Sequence, residues 1–216
     1  MTGPGPSGGG DAASAAGAAT VHVVDDDGAI RDALAWLLGS RGLATRTWPS
    51  AEAFLAGHDP AQPGCLVLDI RMEGMSGVEL FDALTTRASP MPVIFLTGHG
   101  DVPLAVAALK KGAFDFVEKP FNDNQLVDLV IEALRCDQAG RTARAAEASL
   151  AARLDQLTTR EREVMGGVLR GLPNKAIADE LGLAMRTVEV HRARLFEKMG
   201  VRSAVELAQT LAPARR

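Results

Sequence analysis

Paired cysteines are missing from this chain. Its 216 residues hold only Cys65 and Cys136, far apart and in neither a CxxC pair nor a Cys/His cluster. That spacing excludes a structural zinc site and a disulfide framework. Cys65 opens an apolar run and is expected to be a small buried hydrophobe. His22, His58 and His191 likewise show no metal-ligand spacing. No apolar stretch approaches the roughly 18 residues of a membrane span, so no membrane partner is expected. The N-terminus lacks the basic region and apolar core of a secretory signal, which makes a reduced, cytoplasmic protein the expectation. Neither sign of charge dominates: 27 acidic against 23 basic residues leave a formal charge of −4. Taken whole, that figure argues against a nucleic-acid partner.

What is present divides the chain. Residues 1–19 are, beyond Met1 and Thr2, Gly, Ala, Pro and Ser with one charge, too little apolar surface to offset ordering entropy, and a disordered tail is expected there. From Thr20 the runs VHVV (21–24), CLVL (65–68), PVIFL (92–96) and AFDFV (113–117) alternate with helical patterns. LATRTW (43–48) supplies a weaker strand near an edge. Strands alternating with helices predict an α/β domain over 20–135 with a five-stranded, doubly wound parallel sheet. The Ala-rich stretch 136–155 predicts a solvated helical linker that prolongs the preceding helix. From 156 no strand pattern recurs. Thr158 and Glu161 form a capping box that opens a helix, and three more helices follow around 174–181, 185–199 and 203–212. An all-α, four-helix domain over 156–216 is expected.

The charge divides with the domains. Residues 20–135 hold 16 Asp/Glu and 9 Lys/Arg, whereas 156–216 hold 7 and 11. In the acidic domain the ends of the strands are unusual. They carry Asp25-Asp26-Asp27, Asp69, Thr97 and Lys119-Pro120. Ligands of open α/β sheets sit beyond the carboxyl ends of the strands. Carboxylates gathered there repel one another unless a hard cation compensates, and Mg²⁺ needs only one or two of them. A hydroxyl and an ammonium in the same place supply what a phosphoryl oxygen requires. A carboxylate so placed can attack phosphorus and form an aspartyl phosphate. Singly, each of these residues reads more simply: acidic strand ends are usually solvated, one of the three aspartates can cap a helix, and Lys119 can be a surface charge.

The segments VHVVDDD (21–27), CLVLDIRMEGMSG (65–77), VIFLTGHGD (93–101) and GAFDFVEKPF (112–121) together resemble the receiver domain of two-component response regulators. The resemblance implies Asp69 as phospho-acceptor, with Asp25, Asp26, Asp69 and the backbone carbonyl of Arg71 holding Mg²⁺. It implies that Thr97 and Lys119 bind the phosphoryl group, that Phe116 is the switch aromatic, and that the Lys119–Pro120 bond is cis. Receivers usually carry Pro four residues after the acceptor, where this chain has Glu73. His99, two residues after Thr97, is expected to tune the site or face solvent, and Arg71 to slow dephosphorylation by crowding the attacking water.

In the basic domain, residues 174–200 have the form helix, Gly-containing turn, helix. Ala178 permits close helix approach and Gly182 the turn backbone. Val188, His191, Leu195 and Met199 share one face of the second helix, so Arg186, Val190, Ala193, Arg194 and Glu197 point away. Such a face suits a major groove. Arg186 and Arg194 can bond guanine edges or phosphates, Glu189 on the shoulder can accept from a cytosine amine, and Thr187 stands beside them. Lys175 and Arg192 are better placed for phosphates. A helical bundle with a solvated charged face has the same pattern. LTTREREV (157–164), NKAIADEL (174–181) and RTVEVHR (186–192) resemble the LuxR-type helix-turn-helix. The whole chain is thus similar to response regulators of the FixJ/NarL type, nearer the FixJ side. That resemblance implies a sensor histidine kinase, double-stranded promoter DNA and RNA polymerase as partners, a homodimer on phosphorylation, and no enzyme activity beyond aspartyl phosphorylation and dephosphorylation. Two alternatives stay open: a DNA-binding regulator with a vestigial receiver, and an Asp-nucleophile phosphohydrolase. Against the latter, Arg71 stands where such hydrolases carry a second Asp.

Overall fold

The computed structural model describes residues 19–98 and 100–212. The tail expected over 1–19, apart from Ala19, and His99 lie outside these residues. Two compact units divide between Arg141 and Thr142.

In the first unit, β1 (Thr20–Val24), β2 (Thr45–Trp48), β3 (Gly64–Asp69), β4 (Val93–Thr97) and β5 (Asp115–Glu118) form one parallel sheet in the order β2-β1-β3-β4-β5. The strands read as near-continuous apolar runs because both faces are covered. Alternation sends Val24, Leu66, Leu68 and Phe95 to one face. There they meet Phe54 of α2 (Ala51–Gly57), Leu80 and Leu84 of α3 (Gly77–Thr86), and Ala105 and Ala108 of α4 (Val102–Lys110). Val21, Val23, Cys65, Val67, Ile94 and Leu96 face α1 (Gly28–Ser40) and the start of α5 (Asp123–Asp155). Cys65 is fully buried, and burial pushes its thiol up to about 12, so it packs as a hydrophobe. The LATRTW run forms its strand only from Thr45, at the sheet edge.

His22 is fully buried in β1, where its Nδ1 accepts the Trp48 indole N–H at 3.1 Å. Burial lowers its pKa to about 4, helped by the charges of His58 and Arg46, so the ring is neutral.

Helix α5 runs 33 residues and continues from the first unit through the predicted linker. The first turns of that stretch are solvated on one side and anchored on the other. Asp137 is buried, and its Oδ2 accepts the Gly64 N–H at 3.0 Å and the Arg141 Nε–H at 2.7 Å. Arg141 also donates to the Ala61 and Gln62 carbonyls. Only residues 142–149 form an unbroken exposed run.

The second unit holds the end of α5 with α6 (Thr159–Leu169), α7 (Asn174–Leu181), α8 (Met185–Met199) and α9 (Ala204–Leu211). Val164, Val168, Ile177, Val188, Leu195, Met199 and Leu207 form its core, with Leu150 and Leu154 of α5 packed against them. Gly182 ends α7 at φ +65°, a left-handed conformation that favours glycine, and so sets the turn into α8.

The predicted capping box is present. Thr158 Oγ1 accepts the Glu161 N–H, and Glu161 Oε2 accepts the Thr158 N–H at 2.8 Å. The same Oε2 accepts from Lys198 Nζ at 2.7 Å, and Lys198 also donates to the Gln156 carbonyl. The bond from Lys198, then that from Thr158, hold the Glu161 carboxyl at about 2. This depressed pKa stabilises the fold fully above the ordinary value of 4.5, and the contribution is lost as pH falls toward 2. Glu161→Ala should cost the second unit about 1–3 kcal/mol and flatten this acid dependence. Both tryptophans, Trp36 and Trp48, lie in the first unit. The loss should therefore appear in urea unfolding followed by far-ultraviolet circular dichroism, with the tryptophan fluorescence transition unmoved.

Candidate functional site

The register assembles the strand ends. Val24 of β1 pairs with Leu68 of β3, so Asp25 and Asp69, one residue on, emerge side by side. Sequence neighbours β1 and β2 lie on one side of this junction and β3, β4 and β5 on the other, which makes it the point where strand order reverses. β4 and β5 pair Thr97 with Glu118, and Lys119 follows. The Lys119 N–H donates to the Thr97 carbonyl at 2.7 Å, and the Lys119–Pro120 bond is cis.

Lys119 Nζ sits between the two carboxylates, 2.7 Å from Asp69 Oδ1 and 3.1 Å from Asp25 Oδ2. Burial raises the Asp69 pKa, and the Lys119 hydrogen bond and charge work against it. Burial alone would lower the Lys119 pKa, but the bonds and charges of Asp69 and Asp25 raise it, so the ammonium stays charged. The second oxygen of Asp69 accepts the Arg71 N–H at 3.0 Å. Asp25 Oδ1 accepts the Asp27 N–H, and Asp27 in turn caps α1 through the Ala29 N–H at 2.8 Å. Gly77 is needed because α3 begins against β3: a Cβ there would fall 2.0 Å from the Asp69 carbonyl oxygen.

Thr97 is buried, and its hydroxyl donates to the Gly98 carbonyl at 3.1 Å. Phe116 is half-buried against the cluster that holds Phe95 and Ala105. Asp26 is exposed, and its Oδ2 accepts the Glu73 N–H at 2.9 Å. A proline at position 73 has no N–H and cannot make this bond.

Among the described residues, no group of three or more His, Cys, Asp or Glu side chains is gathered around a single point for a metal ion. The donors that are near one another suit a hard cation none the less. Asp25 and Asp69 are drawn together on one ammonium, Asp26 is adjacent in sequence, and all offer carboxylate oxygens. Mg²⁺ takes one or two such carboxylates and keeps water for the rest.

Asp101 escaped the sequence reading. It is buried, and Arg71 grips it: Nε lies 2.8 Å from both carboxylate oxygens and Nη2 lies 2.7 Å from Oδ1. An Asp before a helix reads as an N-cap, and only the folded contact with Arg71 shows otherwise.

In the second unit, α8 buries Val188, Leu195 and Met199 and exposes Arg186, Glu189, Val190, Ala193, Arg194 and Glu197. Lys175 on α7 is exposed as well, and Thr187 is half-buried. Among the described residues no ion pair engages Lys175, Arg186 or Arg194. Arg192, expected to be better placed for phosphates than for base edges, makes contacts within the unit. Its Nη1 donates to Asn174 Oδ1 at 3.0 Å and its guanidinium lies over Phe196, so it ties α8 to the start of α7.

Comparisons with known proteins bear on both units. Residues 21–131 match the response regulator receiver domain, and residues 155–211 match the LuxR family of bacterial regulatory proteins. The C4-dicarboxylate transport transcriptional regulatory protein DctR of Rhodobacter capsulatus is 56% identical over 193 residues, covering 88% of this chain and 98% of that protein. The transcriptional regulatory protein FixJ of Bradyrhizobium diazoefficiens is 43% identical over 189 residues, covering 88% and 92%. Among solved structures, the response regulator StyR is 43% identical and superposes with a TM-score of 0.86 over 90% of this chain and 98% of that one. Full-length FixJ from B. japonicum is 42% identical, with a TM-score of 0.56 over 90% and 96%.

The bond to Asp26 makes Glu73 testable. Glu73→Ala removes the side-chain charge and keeps the amide, whereas Glu73→Pro removes both. One net hydrogen bond is worth about 0.5–1.5 kcal/mol, so Mg²⁺ should bind the Pro variant roughly two- to tenfold more tightly than the Ala variant. Titration calorimetry on the full chain measures this, and equal affinities would mean that the Glu73 amide places no restraint on Asp26.

Proposed function

The chain belongs to the response regulators of two-component systems, a receiver domain followed by a LuxR-type DNA-binding domain, and we propose that phosphoryl transfer to Asp69 switches it. As such a regulator it controls transcription in response to a sensor kinase. The observation that carries the Asp69 assignment is the Lys119 ammonium bridging Asp69 and Asp25 at the strand ends. That bridge keeps Asp69 paired and oriented, with Oδ1 on Lys119 and Oδ2 on the Arg71 amide.

In the forward step an Asp69 oxygen forms a new O–P bond as the P–N bond of a phosphohistidine breaks. The imidazole leaves with the electron pair and takes up a proton. Lys119 then neutralises part of the charge gained, since a phosphoryl group brings roughly −1.5 to −2. Asp25, Asp26, Asp69 and the Arg71 carbonyl would hold Mg²⁺, which when bound supplies further neutralisation of the phosphoryl oxygens. The Thr97 hydroxyl leaves the Gly98 carbonyl for a phosphoryl oxygen, and half-buried Phe116 follows into the space so opened. A local charge event thereby biases a two-state element. In the resulting state the chain forms a homodimer, binds promoter DNA in the cytoplasm and engages RNA polymerase.

For DNA, Arg186, Glu189, Val190, Ala193 and Arg194 form the face of α8 offered to base edges, with Thr187 at its margin, and Lys175 contacts phosphate. Arg192 acts mainly by fixing the angle between α7 and α8 through Asn174. The phosphohydrolase reading lacks its acid–base partner: Arg71 stands at that place and is engaged with Asp101.

Incubation of the full chain with acetyl phosphate and Mg²⁺ should add the mass of one phosphoryl group to wild type and none to Asp69→Asn, with DNA affinity rising only in the former. Equal DNA binding by both, with or without acetyl phosphate, would establish the vestigial-receiver alternative. On DNA, Lys175→Ala should weaken all sequences alike and reduce the slope of log affinity against log salt by about one. Arg186→Ala should instead relax sequence preference at one position, at a cost of about 1–3 kcal/mol on the preferred site.

A further inference from the structure

The C-terminal ends of two helices in the second unit are bonded to each other's cations. Arg153 belongs to α5, and its Nη1 donates at 2.9 Å to the carbonyl of Met199, the last residue of α8. Lys198 belongs to the last turn of α8, and its Nζ donates at 3.1 Å to the carbonyl of Gln156, one residue past α5. The last carbonyls of a helix have no partner within it, and they form the negative end of its dipole. Two such ends repel when brought together, and here each is met by a cation from the other helix. Lys198 is itself held by the Glu161 carboxylate at 2.7 Å. Arg162 of α6 adds a third donor, 2.6 Å from the Leu154 carbonyl. The apolar core contributes less at this junction. Among the described residues, none of the buried members of that core belongs to α5, which supplies only the partly buried Leu150 and Leu154. The polar exchange therefore sets how the end of α5 lies against α8. Upstream, Asp137 ties the same helix to the N–H of Gly64, the first residue of the strand that ends in Asp69.

We propose that Arg153 and Lys198 are positioning residues that lock the ends of α5 and α8 into one piece, so that the connector helix carries the DNA-facing helix and delivers the phosphoryl signal to it. The proposal rests on the readings of Asp69 as the switch and of α8 as the helix offered to DNA. Coupling between distant sites is carried by bonded, rigid elements. Helix α5 is such an element, 33 residues long and bonded at separate points to the acceptor strand and to the end of α8. The lock sits at the C-terminal end of α8, whereas Arg186, Glu189 and Val190 occupy its N-terminal half. A rotation or shift of α5 at the lock therefore reaches the base-reading face through a rigid helix. Neither cation needs to touch DNA for this, and each would have to surrender a carbonyl in order to do so.

The test uses the full chain, wild type and Arg153→Ala, with and without loading by acetyl phosphate and Mg²⁺. Loading is followed by mass, and affinity by fluorescence anisotropy on double-stranded DNA that loaded wild type selects from a random pool. Arg153→Ala should take up the phosphoryl group as wild type does, yet the gain in DNA affinity on loading should be smaller by about threefold or more. The slope of log affinity against log salt should match that of wild type. A slope shallower by about one makes Arg153 a direct phosphate contact and overturns the proposal. A role as mere support for the second unit weakens loaded and unloaded chains alike and leaves the gain unchanged, and an unchanged gain overturns the proposal as well. Should Arg153→Ala not fold, Arg153→Lys and Arg153→Gln decide. Lys, which keeps a charged donor for the Met199 carbonyl, should retain more of the gain than Gln by about threefold; equal gains for the two overturn the proposal. Failure of wild type itself to gain a phosphoryl group, or to gain affinity on loading, removes the switch reading of Asp69 and this proposal with it, and shows before any variant is compared.

Discussion

Two carboxylates emerging from neighbouring parallel strands repel each other unless a cation stands between them, and Lys119 is that cation. Much of the first unit is arranged so that its ammonium arrives there. The sheet must place β1 beside β3 to bring Asp25 and Asp69 together, and β5 beside β4 to deliver Lys119. The Lys119 amide is anchored on the Thr97 carbonyl, so the residue that supplies the ammonium and the residue that supplies the hydroxyl are joined through backbone. Burial disfavours charge on both Asp69 and Lys119, and each holds the other charged. Removing either partner would leave a partly buried charge uncompensated, a larger penalty than the pair's net contribution to stability.

The acidic side chains at and around these strand ends are structural before they are chemical. Asp25 accepts the Asp27 amide, Asp27 the Ala29 amide, Asp26 the Glu73 amide, Asp69 the Arg71 amide and Glu52 the Met75 amide. Each satisfies an N–H group that no strand or helix bond reaches. Carboxylate–amide bonds are strong because the acceptor is ionised. The loops around the strand ends are therefore shaped by the same negative charge that suits the site to a cation, and the acidity of this unit serves both ends.

The parts of this arrangement visible in the sequence are those with a local pattern. The five strands follow from short apolar runs, the α6 start from Thr158 and Glu161, and the α7–α8 turn from Gly182. The core of α8 follows from helical periodicity, because burial of Val188, Leu195 and Met199 is a property of one helix against one core. What stayed hidden depends on partners distant in sequence. Asp101 looks like a helix cap until Arg71 is placed beside it. Asp137 looks like a solvated linker residue until Gly64 and Arg141 enclose it. Glu73 shows in the sequence only as a residue where receivers usually carry Pro, and its backbone consequence appears only when Asp26 is found at hydrogen-bond distance. Apart from the i,i+4 pair of Asp137 and Arg141 within α5, none of these contacts has a sequence period, since each joins segments brought together by the sheet.

The same distinction decides what the basic unit offers to DNA. Its excess of positive charge counts every cation equally, yet the cations of α7 and α8 are not equivalent. Lys198 is held by Glu161 and the Gln156 carbonyl, and Arg192 by Asn174 and the Phe196 ring. Both sit on the inner or lateral side of α8, where they set the helix against its neighbours. Lys175, Arg186 and Arg194 are exposed and take part in no ion pair among the described residues. A cation already paired gains little from a phosphate, because it must surrender a partner to bind one, whereas an unpaired one exchanges only water and counterions. Affinity for DNA should therefore follow these three side chains more closely than the net charge of the unit.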